Sequence, residues 1–186
     1  IDAADKVIID NLTPKFTGGL NLGVSWKNLS LFGQFSFTYG GKIYNLDEQL
    51  LRSTELGYDD VMKNKPDYIL DRWTQENQSS RYPRFVVGAH GAQNETGWND
   101  RPSTLYLFDA SFLKLNKLTL SYNLPQNWIQ KLGMTSCSVY LSGENLFTLK
   151  NKKLNVPDPE AALTSGIAQK GVPSPRSFMI GLDLTF

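Results

Sequence analysis

The stretch Phe16 to Tyr39, FTGGLNLGVSWKNLSLFGQFSFTY, decides the fold. In an extended chain successive side chains point to opposite sides, so Phe16, Gly18, Leu20, Leu22, Val24 and Trp26 share one face and Thr17, Gly19, Asn21, Gly23 and Ser25 the other. Neither face carries a charge. Lys27 and Asn28 form a minimal turn, asparagine being suited to the positive φ of a two-residue hairpin. The chain returns with Leu29, Leu31, Phe35, Phe37 and Tyr39 against Ser30, Gln34, Ser36 and Thr38, Phe32 alone breaking the alternation. Each run matches the roughly 9–11 tilted residues with which a β-strand crosses a bilayer. Trp26 at the turn end, and Tyr39 with Tyr44 at the other, stand where an interfacial aromatic girdle belongs.

Working outward, the same period recurs. RSFMIGLDLTF, Arg176 to Phe186, sets Phe178, Ile180, Leu182, Leu184 and Phe186 against Ser177, Met179, Gly181, Asp183 and Thr185. FLKLNKLTLSY, Phe112 to Tyr122, puts Leu113 and Leu115 on one parity and Leu118, Leu120 and Tyr122 on the other, which predicts a bulge near Asn116 and Lys117. Pro125 opens a short helical turn that Gly133 closes, and a further strand sets Cys137, Val139 and Leu141 against Ser138, Tyr140 and Ser142.

The connections alternate in length: the 27–28 turn is minimal, 41–104 very long, 123–136 short and 150–175 long. Short and long therefore fall on opposite ends, as in outer-membrane barrels, whereas the loops of a sandwich are comparable at its two ends. The sequence predicts an all-β, antiparallel transmembrane barrel segment of about five strands with long extracellular loops. Its parts are residues 1–14, a loop before the first strand; 15–40, a hairpin; 41–104, a long extracellular loop; 105–149, a second hairpin with a short periplasmic turn; 150–175, an extracellular loop; and 176–186, a closing strand. So few strands cannot close a wide barrel, and an open edge in lipid costs several kcal/mol per unsatisfied backbone group, so the chain reads as a piece of a larger barrel. The rival reading is a soluble β-sandwich, a carbohydrate-binding or adhesion module whose alternating faces form a core.

Composition removes most chemistry. The 186 residues carry a formal net charge of +1, which gives no case for nucleic acid. Cys137 is the sole cysteine and His90 the sole histidine, so an internal disulfide, a CxxC pair, a catalytic triad and a multi-histidine metal site are all excluded. Asp59 and Asp60 are adjacent and diverge in direction, unlike the facing carboxylates of a glycosidase, and with Asp47 and Glu48 they read as solvated loop positions. No run of 18 apolar residues and no opening of basic residues followed by an apolar stretch is present. An enzyme is not expected. Binding chemistry concentrates in the long loop, where Tyr68, Trp73, Tyr82 and Trp98 interleave with Arg72, Arg84, Asn77 and Gln78. Aromatic faces with planar hydrogen-bonding groups suit sugar rings and, almost as well, peptides. Arg72, Trp73, Tyr82 and Trp98 are the candidates for substrate binding or for contact with a lid protein; the alternative is that these aromatics form the loop's own small core.

Three blocks carry a resemblance: TPKFTGGLNLGVSWKNLSLFGQFSFTYGGKIYN, DRWTQENQSSRYPR and DASFLKLNKLTLSYNLPQNWIQKLGMTSCSVYLSGENLFTL. Together they resemble the C-terminal barrel segment of SusC/RagA-type TonB-linked outer-membrane transporters. Glu144 to Thr148 and Phe186 are shared with other TonB-linked receptors, while Asp71 to Thr74 and the Leu124–Pro125 turn are more particular to this type. The resemblance implies a bacterial outer-membrane barrel of about 22 strands around a plug. It further implies a SusD-like lipoprotein lid and uptake of glycan or peptide oligomers powered by TonB, which would engage an N-terminal region outside this chain. The opening IDAAD resembles the tail of a calcium loop in which Asp2 and Asp5 are the remaining acidic positions; alone they are too few to ligate calcium, and ordinary loop carboxylates are the other reading. The row Phe178, Ile180, Leu182, Leu184 and Phe186 resembles the signal read by outer-membrane assembly machinery.

Overall fold

The computed structural model describes residues 7–8, 11–52, 64–80, 82, 84, 102–163, 165–169 and 171–186. In chain order the elements are β1 (Phe16–Trp26), β2 (Leu29–Tyr39), β3 (Lys42–Asn45), α1 (Leu46–Arg52), β4 (Leu107–Asp109), β5 (Phe112–Asn123), α2 (Gln126–Ile129), β6 (Ser136–Lys150), α3 (Pro159–Leu163), β7 (Ile167–Ala168) and β8 (Ser177–Thr185). The long strands make a five-stranded sheet in the order β1-β2-β5-β6-β8, every pair antiparallel. A three-stranded sheet, β4-β3-β7, caps one end.

Register sorts the side chains into two continuous faces. Val24 lies opposite Leu31, Leu31 opposite Leu120, Leu120 opposite Leu141 and Leu141 opposite Ile180, so one apolar row crosses all five strands, and Leu20 opposite Phe35 lies on the same face. Asn21 opposite Gln34, Ser30 opposite Ser121, Thr119 opposite Ser142 and Ser138 opposite Asp183 trace the polar face. The apolar row is uncovered: Leu22 is 52% exposed and Ile180 79% exposed. A sandwich would bury that row under a second sheet, and among the described residues no second sheet covers it. No helix among them is long and apolar enough to cross a membrane.

The bulge lies where the parity changes. Lys117 pairs with Glu144 and Leu115 with Phe147, leaving Asn116 on β5 and Asn145 and Leu146 on β6 between them. Against β2, where Gln34 pairs with Lys117 and Phe35 with Leu115, Asn116 is the extra residue, and it returns Leu113 and Leu115 to the face of Leu118 and Leu120. Asn145 takes the positive φ, 54°, that asparagine tolerates. Two other local expectations are corrected. In the 27–28 turn the positive φ, 52°, belongs to Lys27, while Asn28 donates its side-chain amide to the Asn123 carbonyl and so bridges to the next turn. Tyr44 does not join a girdle; it sits in β3, edge-on to Tyr106 with its hydroxyl on Gln49, because β3 turns away into the cap.

The cap has the chain's one apolar cluster among the described residues: Ile43, Phe108, Ala110, Leu154, Val156, Ala162 and Ala168. It attaches on the polar side of the large sheet, where Lys114 and Ser36 reach the start of α3. At the opposite end, Pro125 and the left-handed Gly133 bracket the short helical turn between β5 and β6.

Candidate functional site

Two polar clusters stand out, both in or beside the cap. The first is built on α1, whose sequence LDEQLLR spaces Glu48 and Arg52 one helical turn apart. Arg52 donates Nε to Glu48 Oε1 at 2.7 Å and pairs with the same oxygen through Nη2. Tyr68 donates its hydroxyl to that oxygen at 2.6 Å. The guanidinium lies over the rings of Tyr68 at 4.8 Å and Tyr82 at 4.6 Å, and those two rings stack on each other at 5.3 Å. Glu48 Oε2 and Arg52 Nη1 are buried with no hydrogen-bond partner among the described residues, so the aromatic faces supply the remaining stabilisation of the cation. Burial, then the bond to Glu48, pushes the Tyr68 hydroxyl up to about 12. Burial disfavours the Arg52 charge, but the bonds with Tyr68 and Glu48 outweigh it and hold the guanidinium above its ordinary value.

The second cluster links sheet to cap. Lys114, on the polar face of β5, donates to Asp158 at 2.9 Å and Glu160 at 2.8 Å. The Lys114 and Asp158 side chains are only 6% and 9% exposed. Ser174 donates to Asp158 at 2.8 Å, and Ser36 to Glu160 at 3.4 Å. Burial raises the Asp158 carboxyl, yet the bonds from Lys114 and Ser174 prevail and hold it below the usual carboxylate range.

Of the sequence candidates, Arg72, Trp73 and Tyr82 come together. Arg72 and Tyr82 form a parallel bridge, and the Trp73 amide donates to the Tyr82 carbonyl at 2.9 Å. Asn77 closes the turn between them, donating to Asp71 at 2.8 Å and exchanging backbone bonds with Thr74. Asp71 to Thr74 thus frames a small turn whose Tyr82 side is clamped onto Arg52, while the side chains of Leu70 and Trp73 face outward. Trp98, Asp2 and Asp5 lie outside the described residues. Among the described residues no group of three histidine, cysteine, aspartate or glutamate side chains is placed to hold a metal ion.

Comparison with known proteins places this geometry. No family model matches the chain. TonB-dependent receptor P3 of Formosa agariphila is 28% identical over 196 residues, covering 100% of this chain and 18% of its own length. TonB-dependent receptor SusC of Bacteroides thetaiotaomicron is 27% identical, covering 100% of this chain and 16% of its own length. Among solved structures, the RagAB peptide importer in the closed-closed state matches with a TM-score of 0.81 and 30% identity, over 100% of this chain and 19% of that one. Over its whole length the chain matches TonB-dependent receptors of the SusC/RagA type. It spans less than a fifth of the length of the relatives it matches. As a segment of such a receptor it is part of an outer-membrane β-barrel, and its two-faced sheet is a piece of that wall.

In this receptor segment Phe178, Ile180, Leu182 and Leu184 lie on the apolar face of β8, in register with Gly143, Leu141, Val139 and Cys137, and Phe186 is 82% exposed. Sequence reasoning missed Glu48, Arg52 and Tyr106, whose ring centre lies 6.0 Å from the guanidinium, as one cluster and Lys114, Asp158 and Glu160 as another. The Glu48-to-Arg52 spacing was a readable sign of the first; a lysine between Leu113 and Leu115, hence opposite the apolar row, was the sign of the second.

Proposed function

We propose that the segment forms wall and external loops of an energy-coupled importer that takes up glycan or peptide oligomers under a SusD-like lipoprotein lid. The carrying observation is the uncovered apolar row across five paired strands, backed by a polar face that bears Lys114, Lys117 and Glu144. Lipid suits the first face and a water-filled lumen the second. The relatives' names point the same way, since they include a peptide importer and TonB-dependent receptors. In this reading the ends with minimal turns are periplasmic, the cap is extracellular, the remaining strands and plug belong to the same receptor, and TonB engages a region outside the segment. The chemistry is positioning and gating, with no bond making.

Arg72, Trp73 and Tyr82 serve the lid or the substrate through the turn they frame, and Trp98 is assigned to the same loop surface. Removing residues 67–84 from the full-length receptor is expected to impair lid capture or oligomer uptake more than insertion of the barrel. Unchanged uptake together with unchanged lid capture would reduce this loop to a passive covering. The β8 row with Phe186 is assigned to barrel assembly, where its outward side chains set register as the strand pairs. Phe186→Asp should lower the amount of assembled barrel and leave oligomer affinity unchanged in the receptors that do assemble; normal assembly with weakened affinity would assign this end to a ligand site instead.

A further inference from the structure

Where the bulge of β6 passes under the cap, an open cleft of about 240 Å³ is lined by Lys114, Thr148, Lys150, Asp158, Ser174 and Arg176 among others. Thr148 and Lys150 pair across the sheet with Lys114 and Phe112, so both stand on the polar face. The cleft is held from beneath by the bulge, whose Asn145 donates its side-chain amide to the Pro175 carbonyl at 3.0 Å and fixes the segment that carries Arg176. Bulges recur beside functional sites because they re-aim side chains in this way.

The charges in the cleft do not cancel. Lys114 is satisfied by two carboxylates, Asp158 at 2.9 Å and Glu160 at 2.8 Å. Lys150 donates to the neutral Val156 carbonyl and has no carboxylate at ion-pair distance among the described residues. Arg176 is exposed and makes no ion pair among them. Among the described residues, the lining cations Lys114, Lys150 and Arg176 stand against Asp158 in the lining and Glu160 on Lys114, which leaves one positive charge in excess. The cleft is smaller than the roughly 300–1,000 Å³ that encloses a drug-sized ligand, so it suits one end group of an oligomer and not the whole of it.

We propose that this cleft is a carboxylate-binding subsite for the transported oligomer, with Arg176 as its bidentate donor and Lys150 as a second cation. A guanidinium offers two parallel N–H groups that match a carboxylate, and a single excess charge fits a singly charged anion. The carboxylate has two sources within the proposed substrate classes, a peptide C-terminus or a uronic acid. The assignment rests on the importer reading and deepens it.

The test uses the purified full-length receptor in detergent and titrates four probes by calorimetry: tetra-alanine, tetra-alanine amide, tetragalacturonate and its methyl ester. The wild type is expected to bind at least one free acid more tightly than its neutral counterpart. Arg176→Gln should weaken that acid by roughly 10-fold or more, the scale of a lost charge-assisted hydrogen bond, and leave the neutral form unaffected. Arg176→Lys should fall between them. Lys150→Gln should weaken the same acid by a smaller factor, with the unfolding temperature of each variant confirming an intact fold. Loss confined to the peptide pair assigns the C-terminal carboxylate, and loss confined to the sugar pair assigns the uronate. A wild type that does not distinguish acid from neutral form, or a variant that weakens both alike, overturns the subsite. Acid preference through Arg176 in a receptor whose cells accumulate no oligomer would instead overturn the importer reading and leave the subsite standing.

Discussion

The wall and the cap use the same residue types with opposite signs. In the wall, Leu20, Leu22, Ile180 and Leu182 point outward from a sheet with no core behind them, and stability resides in continuous ladders and in lipid. In the cap, Ile43, Phe108, Leu154 and Val156 point inward, and the buried charges Glu48 and Lys114 are paired with opposite charges. The difference teaches that hydrophobicity alone says nothing about burial until the solvent on the far side is known.

The strongest way to break the comparison is to strike the joint between the two. Lys114→Met keeps the stem but strands Asp158 and Glu160, and breaking a buried pair from one side costs about 3–5 kcal/mol. Urea titration of the refolded receptor should show that loss, and adding Asp158→Asn with Glu160→Gln should recover most of it. A single variant as stable as wild type would mean that the network does not hold cap to wall. Next in size is the wall itself. Leu22→Lys should cost about 2–4 kcal/mol near the membrane midplane, while Asn21→Lys, one residue away on the other face, should cost little. Equal penalties at the two positions would erase the distinction between the faces.

A smaller effect sharpens the picture of the polar face. A Cβ on Gly181 would come within 2.3 Å of the Tyr140 ring, which lies across it. Gly181→Ala should therefore cost about 1–3 kcal/mol through overpacking, and a companion Tyr140→Ala should make the alanine tolerated. Smallest is the alkaline response of the cap. Because the Tyr68 hydroxyl is raised to about 12 in the fold, its contribution is complete below the ordinary tyrosine value of about 10 and is lost as pH rises through about 12. Limited proteolysis across that window should show the 64–82 turn loosening, and Tyr68→Phe should reduce the pH dependence.

The wall was largely legible because period two is local: the parity flip between Leu115 and Leu118 located the bulge at Asn116 without any coordinates. The cap was not. Arg52 meets Tyr68, Tyr82 and Tyr106, aromatics far along the chain whose meeting depends on how α1 and the 71–82 turn fold back, and no spacing encodes that. Local preference also misled at two points. Asparagine's tolerance of positive φ pointed to Asn28 where Lys27 takes it, and an aromatic next to a strand end pointed to a girdle where Tyr44 turns into the cap. Arg72, Trp73 and Tyr82 were legible as a group, and backbone pairing joins them in one turn.

The most direct measurement concerns the apolar row. In a cysteine-free background of the full-length receptor, with Cys137→Ser, single cysteines at Leu20, Asn21 and Leu22 would carry nitroxide labels in reconstituted liposomes. Collision with oxygen, which concentrates in lipid, would then be compared with collision with a water-soluble nickel complex. The account predicts oxygen-dominated collisions at 20 and 22 and nickel-dominated collisions at 21. The reverse order, or three labels shielded from both reagents, would contradict a wall whose leucines face lipid.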